Sequence, residues 1–117
     1  MSVMLMLAAA VSNSPDCKNT PIQAELNECA QAEFLKADRA LNAQWKTTVI
    51  VFRERSREDE ARLRAAQRAW LTFRDAECEA RWPFDLGVSL DKMLHINCLT
   101  NLTIERTEML AELAKDI

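Results

Sequence analysis

The sequence predicts an all-α domain: a three-helix up-down-up bundle whose first two helices form a long pair and whose one end carries two disulfides. Three observations predict it. The 117 residues include one glycine and three prolines, too few for the tight turns an all-β chain requires. Apolar residues recur at helical steps along three long stretches. Four cysteines, Cys17, Cys29, Cys78 and Cys98, fall where one end of such a bundle gathers. The length suits one domain with a single modest core.

The chain opens on "VMLMLAAAV" (3–11), too short to cross a bilayer as a helix. It has the length and small-residue ending of a secretory leader's apolar region, with Ala8 and Ala10 as an A-x-A signal, although no basic region precedes it. Residues 1–11 therefore read as a leader remnant and 12–117 as the domain. The other reading is a retained hydrophobic arm packed on the domain or on a neighbour.

The first helix is expected at about 21–54. Thr20 can cap it, Pro21 suits the first helical position, and Gln23 would complete a capping box. Its inward stripe is Ile22, Leu26, Cys29, Phe34, Ala37, Leu41, Trp45, Val49 and Phe52. The stripe pauses in the charged stretch "RERSREDE" (53–60). Ser56 can cap a second helix there, with Glu58 and Asp59 in its first turn, where the helix dipole favours anions. A single helix bent at 56 is the alternative. The second helix should run to about Arg81 with Leu63, Ala66, Trp70 and Phe73 inward. "RWPFDLGVS" (81–89), with Pro83 and Gly87, reads as a loop. Ser89 or Asp91 can cap a third helix, about 92–115, with Ile96, Leu99, Thr103, Arg106, Leu110 and Leu113 inward. Short connections make this an up-down-up bundle.

If the first two helices fold back around residue 56, Asp38 faces Arg74, Asn42 faces Trp70 and Trp45 faces Gln67. That explains the polar stripe Gln67, Trp70, Arg74 and Cys78. Arg74 and Asp38 are expected to form an ion pair at the seam, because a buried charge left unpaired is costly. Asn42 and Gln67 would add neutral hydrogen bonds, and Arg106 completes the seam. A catalytic carboxylate would need a second group and a cleft, so the structural reading is preferred.

The same topology brings all four cysteines to one end. Sequence-local pairing, Cys17–Cys29 and Cys78–Cys98, is preferred, and cross-pairing stays open. Disulfides imply an oxidising compartment, periplasmic or secreted; four buried thiols in a cytoplasmic protein are the alternative. A Cys78–Cys98 bond would tether the loop 79–97, whose ordering cost is then partly met before a partner arrives. Trp82, Phe84, Asp85, Ser89 and Asp91 are the candidate partner-binding residues; equally, Trp82 and Phe84 could simply close the bundle end.

The net charge of −3 argues against nucleic acid, which demands a concentrated positive face. No cofactor motif, zinc-type Cys/His spacing, phosphate loop or nucleophile elbow is present. The single histidine, His95, reads as a surface or capping residue. The chain is read as a binding protein, not an enzyme.

Taken together, C-x11-C (17–29), "ADRALN" (37–42), "AQRAWLTFRDAEC" (66–78), Gly87, Ser89, Cys98 and "TIERTEML" (103–110) resemble the lysozyme inhibitor LprI-like N-terminal domain family. The resemblance covers about residues 17–113. It implies a small exported bacterial helical domain with disulfides and, for some members, inhibition of lysozyme. The matching positions are Asp38, Leu41, Asn42, Gln67, Trp70, Arg74, Thr103, Arg106 and the four cysteines, which fit the seam and so read as fold determinants. Two departures matter: Gly87-Val88-Ser89 stands where the family shows a Gly-Gly-Ser turn, and a lipoprotein-type leader cysteine is not evident. The expected function is a lysozyme inhibitor that blocks the enzyme's cleft. A periplasmic interaction or structural module without lysozyme activity is the alternative.

Overall fold

The computed structural model describes residues 17–84 and 89–115. The reading of 1–11 as a leader therefore lies outside the described residues. Three helices follow in order: α1 Gln23–Arg55, α2 Arg57–Arg81 and α3 Ser89–Lys115. Among the described residues none is long and apolar enough to cross a membrane. The β-branched run Val49–Val51 sits inside α1, because a favourable helical stripe outweighs the small propensity cost of such residues.

The fold-back at residue 56 forms as expected. Ser56 adopts extended backbone between the two helices, and its hydroxyl accepts from the Asp59 amide at 2.9 Å. Around it Arg53 and Arg64 both reach Glu60 (3.2 and 2.9 Å), while Arg55 and Arg62 both reach Asp59 (3.2 and 2.7 Å). Hydrogen bonds from Arg62 hold the Asp59 carboxyl below the usual carboxylate range, and Arg55 adds to the effect. Glu60 is lowered by hydrogen bonds from Arg53 and then Arg64.

The start of α1 differs from expectation. Gln23 is its first residue, Ile22 stands at the cap position, and no side chain caps it. Thr20 instead accepts from the Ile22 amide (3.1 Å) and donates to Glu25 (2.7 Å). Gln23 does not close a capping box, because its amide is drawn to Asn27 (2.8 Å) and to the Met93 sulfur on α3. Pro21 and Ile22 thus precede the helix. The third helix begins at Ser89, earlier than 92, so Ser89 and Asp91 lie in its first turn and not at the cap.

α3 runs parallel to α1 and packs against it more extensively than α2 packs against either. Asn27 meets Ser89, and Thr48 meets Leu110, at the same sequence separation of 62. The apolar core occupies the turn half of the bundle: Leu41, Val49, Leu63 and Leu110, with Trp45, Phe52, Trp70 and Leu113 packed around them. Thr48 is fully buried there and satisfied: its hydroxyl donates to the Leu110 carbonyl at 3.0 Å. Phe73 and Ala66, expected inward, are exposed, Phe73 by 52%. The inward stripe of α2 is Leu63, Gln67, Trp70, Arg74 and Cys78, and Phe73 stands one helical step away from Arg74, about 100° around the axis.

Both sequence-local disulfides are present, Cys17–Cys29 and Cys78–Cys98, with Cα–Cα distances of 5.8 and 5.7 Å. They brace the end where the apolar core is thinnest. In the chain-entropy model, loops of this length are each worth about 3 kcal/mol.

Two outcomes follow for stability. Leu110→Ala, at a fully buried position, should cost about 2–5 kcal/mol in urea unfolding. The depressed carboxyls at the turn stabilise the fold above the ordinary carboxylate range, and that contribution disappears as pH falls through it. Glu60→Gln should therefore shrink the stability drop between about pH 5 and pH 3, measured by urea midpoints at each pH. An unchanged acid limb would dismiss the linkage.

Candidate functional site

Two polar constellations lie above the apolar core, one inside the bundle and one at its disulfide end. The inner one holds two buried cations. Arg74 is 9% exposed and Arg106 is 6% exposed. Arg74 donates through Nη1 to the Thr103 hydroxyl (3.2 Å) and through Nε to Asp75 (3.0 Å). Arg106 donates through Nε to Gln67 Oε1 at 2.9 Å. Both guanidiniums lie against the Trp70 ring, at 5.3 and 5.9 Å from its centroid, and Arg74 also lies 5.6 Å from that of Phe34. An aromatic face carries partial negative charge, so it stabilises a cation that lacks a carboxylate. Burial pushes the Arg106 pKa down, and its buried Nη2 has no hydrogen-bond partner.

The expected Asp38–Arg74 pair does not form. Along the α1/α2 seam Arg53 meets Glu60, Arg64 lies over Trp45 and Arg74 lies over Phe34. The residue under Arg74 is thus one helical turn nearer the start of α1 than Asp38. Asp38 instead accepts from Asn42 on its own helix at 3.5 Å, at the bundle surface. Asn42 is exposed and takes no part in the seam. Gln67 is satisfied by Arg106, not by Trp45. The carboxylate partner of Arg74 is its neighbour Asp75, whose side chain is 64% exposed, so solvent weakens that pair.

The outer constellation is the corner where α2 ends and α3 begins. The Trp82 amide closes α2 by donating to the Cys78 carbonyl at 2.9 Å. His95 Nδ1 lies 2.8 Å from the Trp82 carbonyl and donates to it. The His95 ring meets Phe84 edge-on at 5.2 Å, and Lys92 Nζ lies 5.6 Å from the Phe84 centroid. The Phe84 amide donates to the Glu79 carboxylate at 3.0 and 3.3 Å. Asn27 of α1 donates to the Ser89 carbonyl and hydroxyl at 3.1 and 3.0 Å. Trp82 and Phe84 nevertheless stay 37% and 39% exposed, with Leu90 at 48%. Asp91 is half-buried, and Asp85 lies outside the described residues.

Glu79, Lys92, His95 and Asn27 were not singled out as partners of this corner by sequence. A signal existed: α2 and α3 are antiparallel across Cys78–Cys98, so four residues beyond Cys78 faces about three before Cys98. That pairs Trp82 with His95.

Other concavities carry less. A depression of about 240 Å³ between α1 and α3 is lined by Glu33, Lys36, Ala37, Ala40 and Ile104, smaller than typical small-molecule pockets. Among the described residues no three His, Cys, Asp or Glu side chains gather to hold a metal.

Fold and corner define a disulfide-braced helical bundle with a tethered aromatic corner. The family described as lysozyme inhibitor LprI matches residues 15–110, and the chain belongs to it. An uncharacterized protein of Rhizobium meliloti (strain 1021) is 34% identical over 124 aligned positions, covering 94% of this chain and 89% of that protein. No solved structure matches.

The inner constellation generates a test. Gln67→Leu strips the acceptor from a buried guanidinium and should cost about 2–3 kcal/mol. Arg106→Met removes the charge that needs it, so the double variant should cost clearly less than the two single losses combined. Additivity within about 0.5 kcal/mol in urea unfolding would mean that the two residues are not coupled.

Proposed function

We propose that the chain is an exported inhibitor of lysozyme that acts by presenting the corner at Trp82–Asp91 to the enzyme's cleft. Membership of the lysozyme inhibitor LprI family supports the partner. The observation that carries the surface is the Trp82–Phe84 corner, exposed yet braced by Glu79, Lys92, His95 and the Cys78–Cys98 bond. Aromatic anchors ordered before binding lose little conformational entropy in the complex. Trp82, Phe84, Asp85, Ser89 and Asp91 are the proposed contacts, and 12–117 the proposed exported domain, periplasmic or secreted. The net charge of −3 suits long-range steering toward a basic enzyme. The chain itself is proposed to catalyse nothing.

A second reading is an envelope interaction or structural module without lysozyme activity. It is favoured by the burial of Gln67, Arg74, Thr103 and Arg106. These are residues on which the family resemblance rests, and they hold the fold together rather than face a partner.

Titrating the oxidised chain into a chicken-type lysozyme during cell-wall lysis separates the two. Stoichiometric inhibition is expected. Trp82→Ala with Phe84→Ala should weaken it roughly thirtyfold or more, as for anchor residues worth about 2 kcal/mol, while the helical signal and melting temperature stay near the parent's. Inhibition untouched by the double variant would overturn the assigned surface. No inhibition at large excess would favour the envelope module.

A further inference from the structure

The bundle sorts its surface charge by face. Arg39, Lys46 and Arg53 recur every seven residues on α1 and so stand one above another. Arg53 bonds Glu60 of α2, which places this column on the flank shared with α2. Arg64 lies over Trp45 across the same seam, and Arg68 stands one turn further along α2. Exposed Leu35 and Leu71, at 46% and 37%, lie on this flank by the same periodicity. Over the stretch from Arg39 to Arg53 the α1/α2 edge is thus a cationic furrow with apolar patches, while exposed Glu28 and Asp75 stand on the same flank nearer the disulfide end. Arg39, Lys46 and Arg68 have no side-chain hydrogen-bond or ion-pair partner among the described residues.

The opposite side is anionic. Glu105, Glu108 and Glu112 follow at three- and four-residue steps, so they form one ridge on α3. All three are exposed, and none has a hydrogen-bond or ion-pair partner among the described residues. Thr103, Arg106 and Leu110 face inward between them. In a three-helix bundle the outer ridge of one helix points away from the furrow between the other two.

The heights also agree. The constant separation of 62 between α1 and α3 partners sets Glu108 level with Lys46. Arg64 beside Trp45 is level with both. Arg68 and Arg39, one and two turns away, lie about two and four residues beyond Glu105's level, and Arg53 about three beyond Glu112's, spans that long side chains bridge. A second copy displaced sideways without rotation therefore sets its ridge against this furrow, carboxylate opposite cation.

We propose that the chain self-associates in this way, with Glu105, Glu108 and Glu112 of one copy seated against Arg39, Lys46 and Arg68 of the next. Exposed ion pairs are individually weak and screened by salt, so the association belongs to low ionic strength. The contact joins two different surfaces and leaves one of each free, so it can extend beyond a dimer.

Sedimentation velocity of the oxidised full chain tests this. At roughly 20 mM salt the sedimentation coefficient should rise with concentration, and at about 0.5 M it should fall to that of a single chain. A triple variant Glu105→Lys, Glu108→Lys, Glu112→Lys should stay monomeric at low salt. So should Arg39→Glu, Lys46→Glu, Arg68→Glu. Mixing the two triples in equal amounts should restore association, because each then meets a face of opposite sign. Circular dichroism of each triple checks that it is folded. A parent chain that sediments as a monomer throughout, or association that survives either triple alone, overturns the proposal. A furrow that binds anionic vesicles while the chain stays monomeric also overturns it.

Discussion

Two buried guanidiniums set the terms for the rest of the bundle. Arg74 and Arg106 have left water without a buried carboxylate to meet them. Taking an ion out of water costs several kcal/mol unless its surroundings compensate. Here the compensation comes from all three helices: the Phe34 ring from α1, Trp70 and Gln67 from α2, Thr103 from α3. Sliding any helix by a turn would strip at least one partner from a buried charge. Leucine-rich packing alone tolerates such a slip, since one apolar contact replaces another. The cluster therefore acts on register more than on net stability.

Register at the middle of the bundle determines what happens at its ends. Toward the turn, the fixed alignment lets Thr48 reach the Leu110 carbonyl inside the apolar core. Toward the other end, it brings Cys78 level with Cys98 and Trp82 level with His95. The disulfide and the arginines thus hold the same alignment. The corner residues need that: Phe84 is held by Glu79 from one helix and by Lys92 and His95 from the other. Phe84 thus stays part-exposed with its backbone amide and ring both held.

Long helices, the break at Ser56 and the disulfide pairing were legible because they depend on local pattern and on topology. The inward stripe of α3 was legible for the same reason. Details that depend on side-chain reach were not. A constant register from the turn pairs Asp38 with Arg74, yet the seam drifts by about one helical turn between Arg53–Glu60 and Phe34–Arg74. Phe34 then takes the place of the carboxylate. Thr20 and Gln23 fit a capping-box spacing, but contacts from α3 and Glu25 compete for those side chains. Phe73 fits a three- to four-residue stripe with Leu63, Ala66 and Trp70, yet it lies about 100° around the axis from Arg74, which takes the inward place. Polar residues took the inward positions, and an apolar count misreads such a helix.

The same substitution of ring and amide for carboxylate bears on surface charge. Arg74 pairs only with the exposed carboxylate of Asp75 and Arg106 with an amide, so no carboxylate has turned inward with either. Instead Glu105 and Glu108 flank Arg106 in sequence and remain on the outer ridge of α3. One helix can then carry a cation inward and an acidic column outward. The α1/α2 edge keeps its cations for the complementary reason: at the turn four arginines share two carboxylates, and further along the seam Arg39, Lys46 and Arg68 share none. A net charge of −3 conceals this separation, because it is a sum over faces of opposite sign. What a partner meets at close range is set by the face it approaches, and long-range attraction by the sum. The tethered aromatic corner lies at the bundle's end and belongs to neither face, so partner binding there and contact between copies do not compete for the same residues.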